Sequence, residues 1–110
     1  MILIEKEGYK ILKDEKDNVT DFASFLESMH KNFKEENVVI DILKYGELSL
    51  EELLHFLKLS NKHRQGKRSF VIANDAINID RVPEELVVVP TLEEAGDIIQ
   101  MEEIERDLGF

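Results

Sequence analysis

The sequence predicts an α/β fold with a single, mostly parallel sheet, and three observations predict it. Short runs rich in Val and Ile, "NVVIDIL" (37–43), "SFVIA" (69–73) and "LVVV" (86–89), are apolar at nearly every position, as strands covered on both faces are. Amphipathic stretches at helical spacing separate or follow them. At the N-terminus, "ILIEK" (2–6) and "YKILK" (9–13) flank Glu7-Gly8, a two-residue break whose glycine can take the positive φ of a hairpin turn. The expected order is ββαβαββα. Crossover helices cover a parallel sheet, and an antiparallel hairpin strand precedes it.

Each element has a local reason. The loop "KDEKDN" (13–18) leads to "FASFLESMHKNF", in which Phe22, Phe25, Leu26, Met29 and Phe33 form one apolar stripe. Asn18, Thr20 and Asp21 are candidate caps of this helix. After the strand at 37–43, Ser49-Leu50-Glu51-Glu52 fits the capping box, with Ser at the cap and Glu three residues on. The helix it opens carries Leu50, Leu53, Leu54 and Leu57, with Phe56 and Leu59 on a second face, and runs to His63, short of Gly66. A polar loop, "NDAINIDRVPEE" (74–85), separates the last two strands. Pro90 stops the final strand, and Thr91 with Glu94 repeats the capping pattern for a helix through Leu92, Ala95, Ile99 and Ile104 towards Leu108. Gly109 suits the position after a helix end.

Composition narrows the function. A chain of 110 residues fits one domain, 1–110, and can bury a core without covalent staples. It has no cysteine, which removes disulfides, thiolate metal sites and cysteine catalysis. With 24 acids against 14 bases the net charge is -10. Such a surface repels nucleic-acid phosphates and anionic membranes, and fits a protein partner. No apolar stretch approaches the ~20 residues that span a bilayer, and Glu5 and Lys6 interrupt the start of the chain. A cytoplasmic address and no cofactor are expected.

The segment "NVVIDILKYGELSLEELLHFLKLSNKHRQGKRSFVIAN" (37–74) resembles the heart of STAS domains, the fold of bacterial anti-sigma factor antagonists. The strand ending in Asp41, the loop, the Leu-rich helix, the basic turn at Gly66 and "SFVIAN" follow in the order of that family. The flanking hairpin and the "PTLEEAGDII" helix also fall where the family has such elements. The family's D-S-S-G helix start is Leu48-Ser49-Leu50-Glu51 here, and the loop 74–85 replaces the family's helix between the last two strands. The resemblance implies a non-enzymatic regulatory module that binds an anti-sigma factor or kinase-like regulator and is switched by phosphorylation at Ser49. It places the partner-binding face at Leu43, Tyr45, Leu48, Leu50 and Leu54.

The residues themselves offer a plainer account of Ser49, as a helix cap worth about 1 kcal/mol. A phosphate there would be favoured by the helix dipole and opposed by Glu47, Glu51 and Glu52. A second reading is a scaffold or homodimer joined through Met101, Ile104, Leu108 and Phe110, which share a helical face. A third is a small ligand-binding protein or enzyme using Asp41, Asn74 and Asp75 at the carboxyl edge of the sheet; the favoured account of these three is that they start loops and bond local backbone, for no glycine-rich phosphate loop lies near them. Glu52-Leu53-Leu54-His55 is a single E-x-x-H unit, whereas di-metal bundles need two with further inward glutamates. His30, His55 and His63 are too sparse for a metal site and read as surface histidines. The basic stretch "NKHRQGKR" (61–68) suits a helix C-terminus.

Overall fold

In a computed structural model, described here over residues 1–109, five strands form one sheet in the order β1-β2-β3-β4-β5. The strands are β1 (Ile2–Lys6), β2 (Tyr9–Lys13), β3 (Val38–Asp41), β4 (Phe70–Ala73) and β5 (Val87–Val89). β1 and β2 pair antiparallel, with Leu3 opposite Leu12 and Ile4 opposite Ile11, and all later pairs are parallel. Gly8 sits at φ +87° in the hairpin turn, a conformation that glycine adopts without steric cost.

Three helices cover the sheet: α1 (Val19–Ser28), α2 (Leu50–Gln65) and α3 (Leu92–Asp107). Alternation along the strands assigns the faces. Leu12, Val38, Ile40, Phe70, Ile72 and Val88 point to one side and pack with Phe22 and Leu26 of α1 and Leu53, Phe56 and Leu59 of α2. Ile11, Val39, Val71 and Ala73 point to the other and pack with Ala95 and Ile99 of α3. β3 and β4 lie between both layers, so every one of their residues is buried. β1 is an edge strand, and all five of its residues are exposed.

The helix boundaries follow their caps. Asn18 starts α1 by accepting from the Asp21 N–H. Ser49 Oγ accepts from Glu52 N–H at 3.1 Å while Glu52 Oε1 accepts from Ser49 N–H at 2.9 Å, so the capping box is complete. Thr91 caps α3 by accepting from Glu94 N–H at 3.0 Å. The apolar stripe of the first helix is shorter than its spacing predicts: α1 ends at Ser28, a 3-10 turn (His30–Asn32) follows, and Phe33 rejoins the core beyond it.

The buried face of α2 differs from the leucine stripe expected. Leu53, Phe56, Leu59, Ser60 and His63 face the core, while Leu50 and Leu54 are 46% and 42% exposed. Phe56 and Leu59 outweigh Leu50 and Leu54 because a larger, continuous stripe faces the core when Phe56 sits at its centre and Leu53 at its edge. This rotation buries His63, and the turn after α1 buries His30; both were expected at the surface, as only His55 proves to be. No helix among the described residues is long and apolar enough to cross a membrane.

Candidate functional site

The parallel strands bring Asp41, Asn74 and the residue after β2, Asp14, to one edge of the sheet. All three side chains are buried, and their hydrogen bonds are spent on neighbouring loops. Asp41 Oδ1 accepts from Leu43 N–H at 3.1 Å. Asn74 Nδ2 donates to the carbonyls of Ile42 at 2.9 Å and Tyr45 at 3.2 Å, and its Oδ1 accepts from Ala76 N–H at 3.0 Å. Asp14 Oδ1 accepts from Lys16 N–H at 2.9 Å, and its other oxygen accepts from the Tyr45 hydroxyl. Burial, then this bond and the Asp14 charge, push the Tyr45 phenol well above its ordinary pKa. Asp75 is exposed beside them. Together these bonds fix the loop that delivers the chain from β3 to the start of α2.

At the end of that loop Ser49 is exposed. It stands on the lip of a groove of about 440 Å³ lined by Glu47, Leu48, Ser49, Glu52, Ile77 and Arg81, among others. Arg81, from the 3-10 turn Ile79–Arg81, is the only cation lining it and forms no ion pair among the described residues. Arg81 lies 32 positions from Ser49 in the sequence (81 less 49), and no local spacing announces the encounter.

The structure divides the other candidates. Leu48 is buried in the core, Tyr45 is half-buried and tied to Asp14, and Leu43 packs on the α3 side of the sheet. Leu50 and Leu54 alone remain open on the outer face of α2. On α3, Met101, Ile104 and Leu108 are 56%, 60% and 66% exposed and lie opposite the buried Ala95 and Ile99. Phe110 lies outside the described residues. No group of three or more His, Cys, Asp or Glu side chains among the described residues is placed to hold a metal ion.

Two polar clusters escaped the sequence reading. His30 Nε2 and His63 Nδ1 lie 2.9 Å apart inside the α1–α2 layer, and His63 Nε2 is 2.7 Å from the Glu36 carbonyl. A carbonyl only accepts, so His63 carries its proton on Nε2 and accepts at Nδ1 from the His30 Nε2–H. Burial pushes the His63 imidazole down to about 4; the Glu36 bond opposes this, and His30, Arg64 and Arg68 add to it. Burial, with Lys62 and Lys34, also lowers His30. The signal was the position of His63 seven residues after Phe56 on the buried stripe.

The second cluster fastens α3 to the sheet. Asn37 Oδ1 accepts from Ser69 N–H at 2.8 Å, and its Nδ2 donates to the Gly8 carbonyl at 3.1 Å and to Glu103 at 2.5 Å. Ser69 donates to Glu102, which Arg64 meets at 3.2 Å. The bonds from Asn37 and Arg106 hold Glu103 below the usual carboxylate range. Asn37 and Ser69 are the polar residues heading "NVVIDIL" and "SFVIA", which is the trace this network leaves in the sequence.

No family model and no curated protein matches the chain.

Proposed function

We propose that this protein is a STAS-like, non-enzymatic regulatory module that binds a protein partner, such as an anti-sigma factor or kinase-like regulator, and is switched by phosphorylation at Ser49. The observation that carries this reading is that the exposed Ser49 lines one groove with Arg81, which forms no ion pair among the described residues. A phosphoryl group on Ser49 would keep an oxygen for the Glu52 N–H and gain Arg81 as a charge-assisted partner. It would also repel the Glu52 carboxylate from the Ser49 N–H. The modification therefore changes the charge and shape of the groove and of the adjoining Leu50 and Leu54 surface. Wild-type and Ser49→Asp protein, each immobilised, test this against a lysate of the native cell. A partner held by wild type and released by the variant supports the switch; an identical catch from both sinks it.

The exposed stripe of Met101, Ile104 and Leu108 favours a second reading, a scaffold that assembles through α3. Sedimentation of wild type and of Met101→Lys/Ile104→Lys separates the two: a wild-type dimer made monomeric by this pair supports assembly, and a monomeric wild type rejects it.

A further inference from the structure

The basic stretch after α2 is only partly explained by the helix end. Lys62 in the last turn of α2, Lys31 in the first 3-10 turn and Lys34 just after it line one groove of about 440 Å³ with His30, Glu35, His63 and Gly66. None of the three lysines forms an ion pair among the described residues, although the chain carries a net -10. The groove is thus an electropositive spot on an acidic protein, with Glu35 its one carboxylate. Two of the helix-end carbonyls are engaged, His63 O by Gly66 N–H at 3.1 Å and Arg64 O by Lys67 N–H at 3.0 Å, and the three ammonium groups have to outweigh the negative end of the α2 dipole.

His30 gives the groove a polar wall. It is 7% exposed, and its Nε2 is committed to His63. Its Nδ1 makes no hydrogen bond among the described residues and is not one of their sealed, unpartnered atoms, which are Ser60 Oγ and Arg64 Nε, so it is open to solvent; His30 lines the groove. The charged and titratable groups around it are Lys31, Lys34 and Glu35 from its own segment and Lys62 and His63 from α2, with Arg64 and Arg68 acting on His63. The ammonium groups discourage a proton on Nδ1 while the groove is empty. An anion would neutralise them and accept a hydrogen bond from the protonated ring.

We infer that this groove binds a small oxyanion of the phosphate class through Lys31, Lys34 and Lys62, and that His30 takes a proton from solvent on Nδ1 as the anion enters. Sulfate keeps its charge between pH 6 and pH 8, so it isolates the proton's part. Backbone amide shifts are followed by NMR during titration with sodium sulfate against sodium chloride of equal ionic strength. Sulfate-specific shifts confined to residues 30–36 and 62–67, with binding severalfold tighter at pH 6, are expected; each unit by which the anion raises the His30 pKa allows up to about tenfold. Lys34→Gln/Lys62→Gln changes two exposed side chains and should weaken binding by about tenfold or more. Inorganic phosphate and phosphoserine, compared at pH 6, distinguish a free ion from a phosphomonoester as the source. Shifts no different from chloride, or equal binding by the double variant, overturn the site. Equal sulfate affinity at the two pH values overturns the protonation of His30.

Discussion

Mild acid should destabilise this protein through the His63–His30 pair. His63 is 1% exposed and its pKa falls from 6.5 to about 4 on folding. A base with a depressed native pKa is charged in the unfolded chain and neutral in the folded one over the window between the two values. The unfolded state then binds more protons, so stability rises with pH there and is lost as pH falls from about 6.5 towards 4. The full shift corresponds to about 3 kcal/mol, at 1.36 kcal/mol for each pH unit. At pH 5 about 2 kcal/mol of it is already gone, and His30, shifted in the same direction, adds to the loss. Glu103 loses its contribution only below about 4.5, so the interval from pH 7 to 5 belongs to histidine. Falling net charge works the other way by relieving repulsion in a -10 chain, and a variant shares that term. Urea unfolding of wild type and His63→Asn at pH 7.5, 6 and 5 measures the difference. Wild type should lose about 2 kcal/mol more than the variant over this range. Equal losses in the two proteins would refute the assignment of a neutral, buried His63.

Three further outcomes follow from the same geometry. Ser49→Ala should cost about 1 kcal/mol in urea unfolding, whereas Ser49→Asp, itself a good cap, should stay within about 0.5 kcal/mol of wild type; a large loss with Asp would show that the hydroxyl does more than cap. Leu54→Ser should change stability by less than about 0.5 kcal/mol, while Leu53→Ala should cost about 2–5 kcal/mol, since one points outward and the other into the core; the reverse order would place α2 on its other face. Asn37→Ala leaves the buried Ser69 N–H and a Gly8 carbonyl without their partners and should cost about 2–3 kcal/mol. Hydrogen exchange should show the C-terminal half of α3 opening first, and unchanged protection there would remove the network's role in docking that helix.

The order of elements was legible because each depends on near neighbours in sequence. The hairpin needs only Glu7-Gly8 between two alternating runs, and the start of α2 needs only Ser49 and Glu52. The face that α2 buries was less legible, because Leu50, Leu53, Leu54 and Leu57 make a convincing stripe by themselves. Phe56 and Leu59 win only when the sheet and α1 are there to receive them. The same tertiary choice decides the histidines. Nothing within a few residues of His30 or His63 foretells a contact across 33 positions; it requires the turn after α1 to bring Phe33 back into the core and α2 to rotate Phe56 inward.

Candidate sites follow this division between local and distant causes. Ser49 as a cap is a local property and could be read directly. Arg81 across the groove from it is not, because the segment 74–85 carries no periodicity to fix its path. What fixes it is Asn74, whose side chain joins that loop to the one before α2 by bonds to the Ile42 and Tyr45 carbonyls. Asn74 and Asp41 were singled out for their place at the sheet edge, where ligands bind in open α/β folds. The buried Asn74 side chain holds together the two loops that form the Ser49 groove, and Asp41 braces the first of them through Leu43 N–H. A change at Asn74 would therefore reach Ser49 without touching it, by releasing Arg81's loop from the one that ends in the cap.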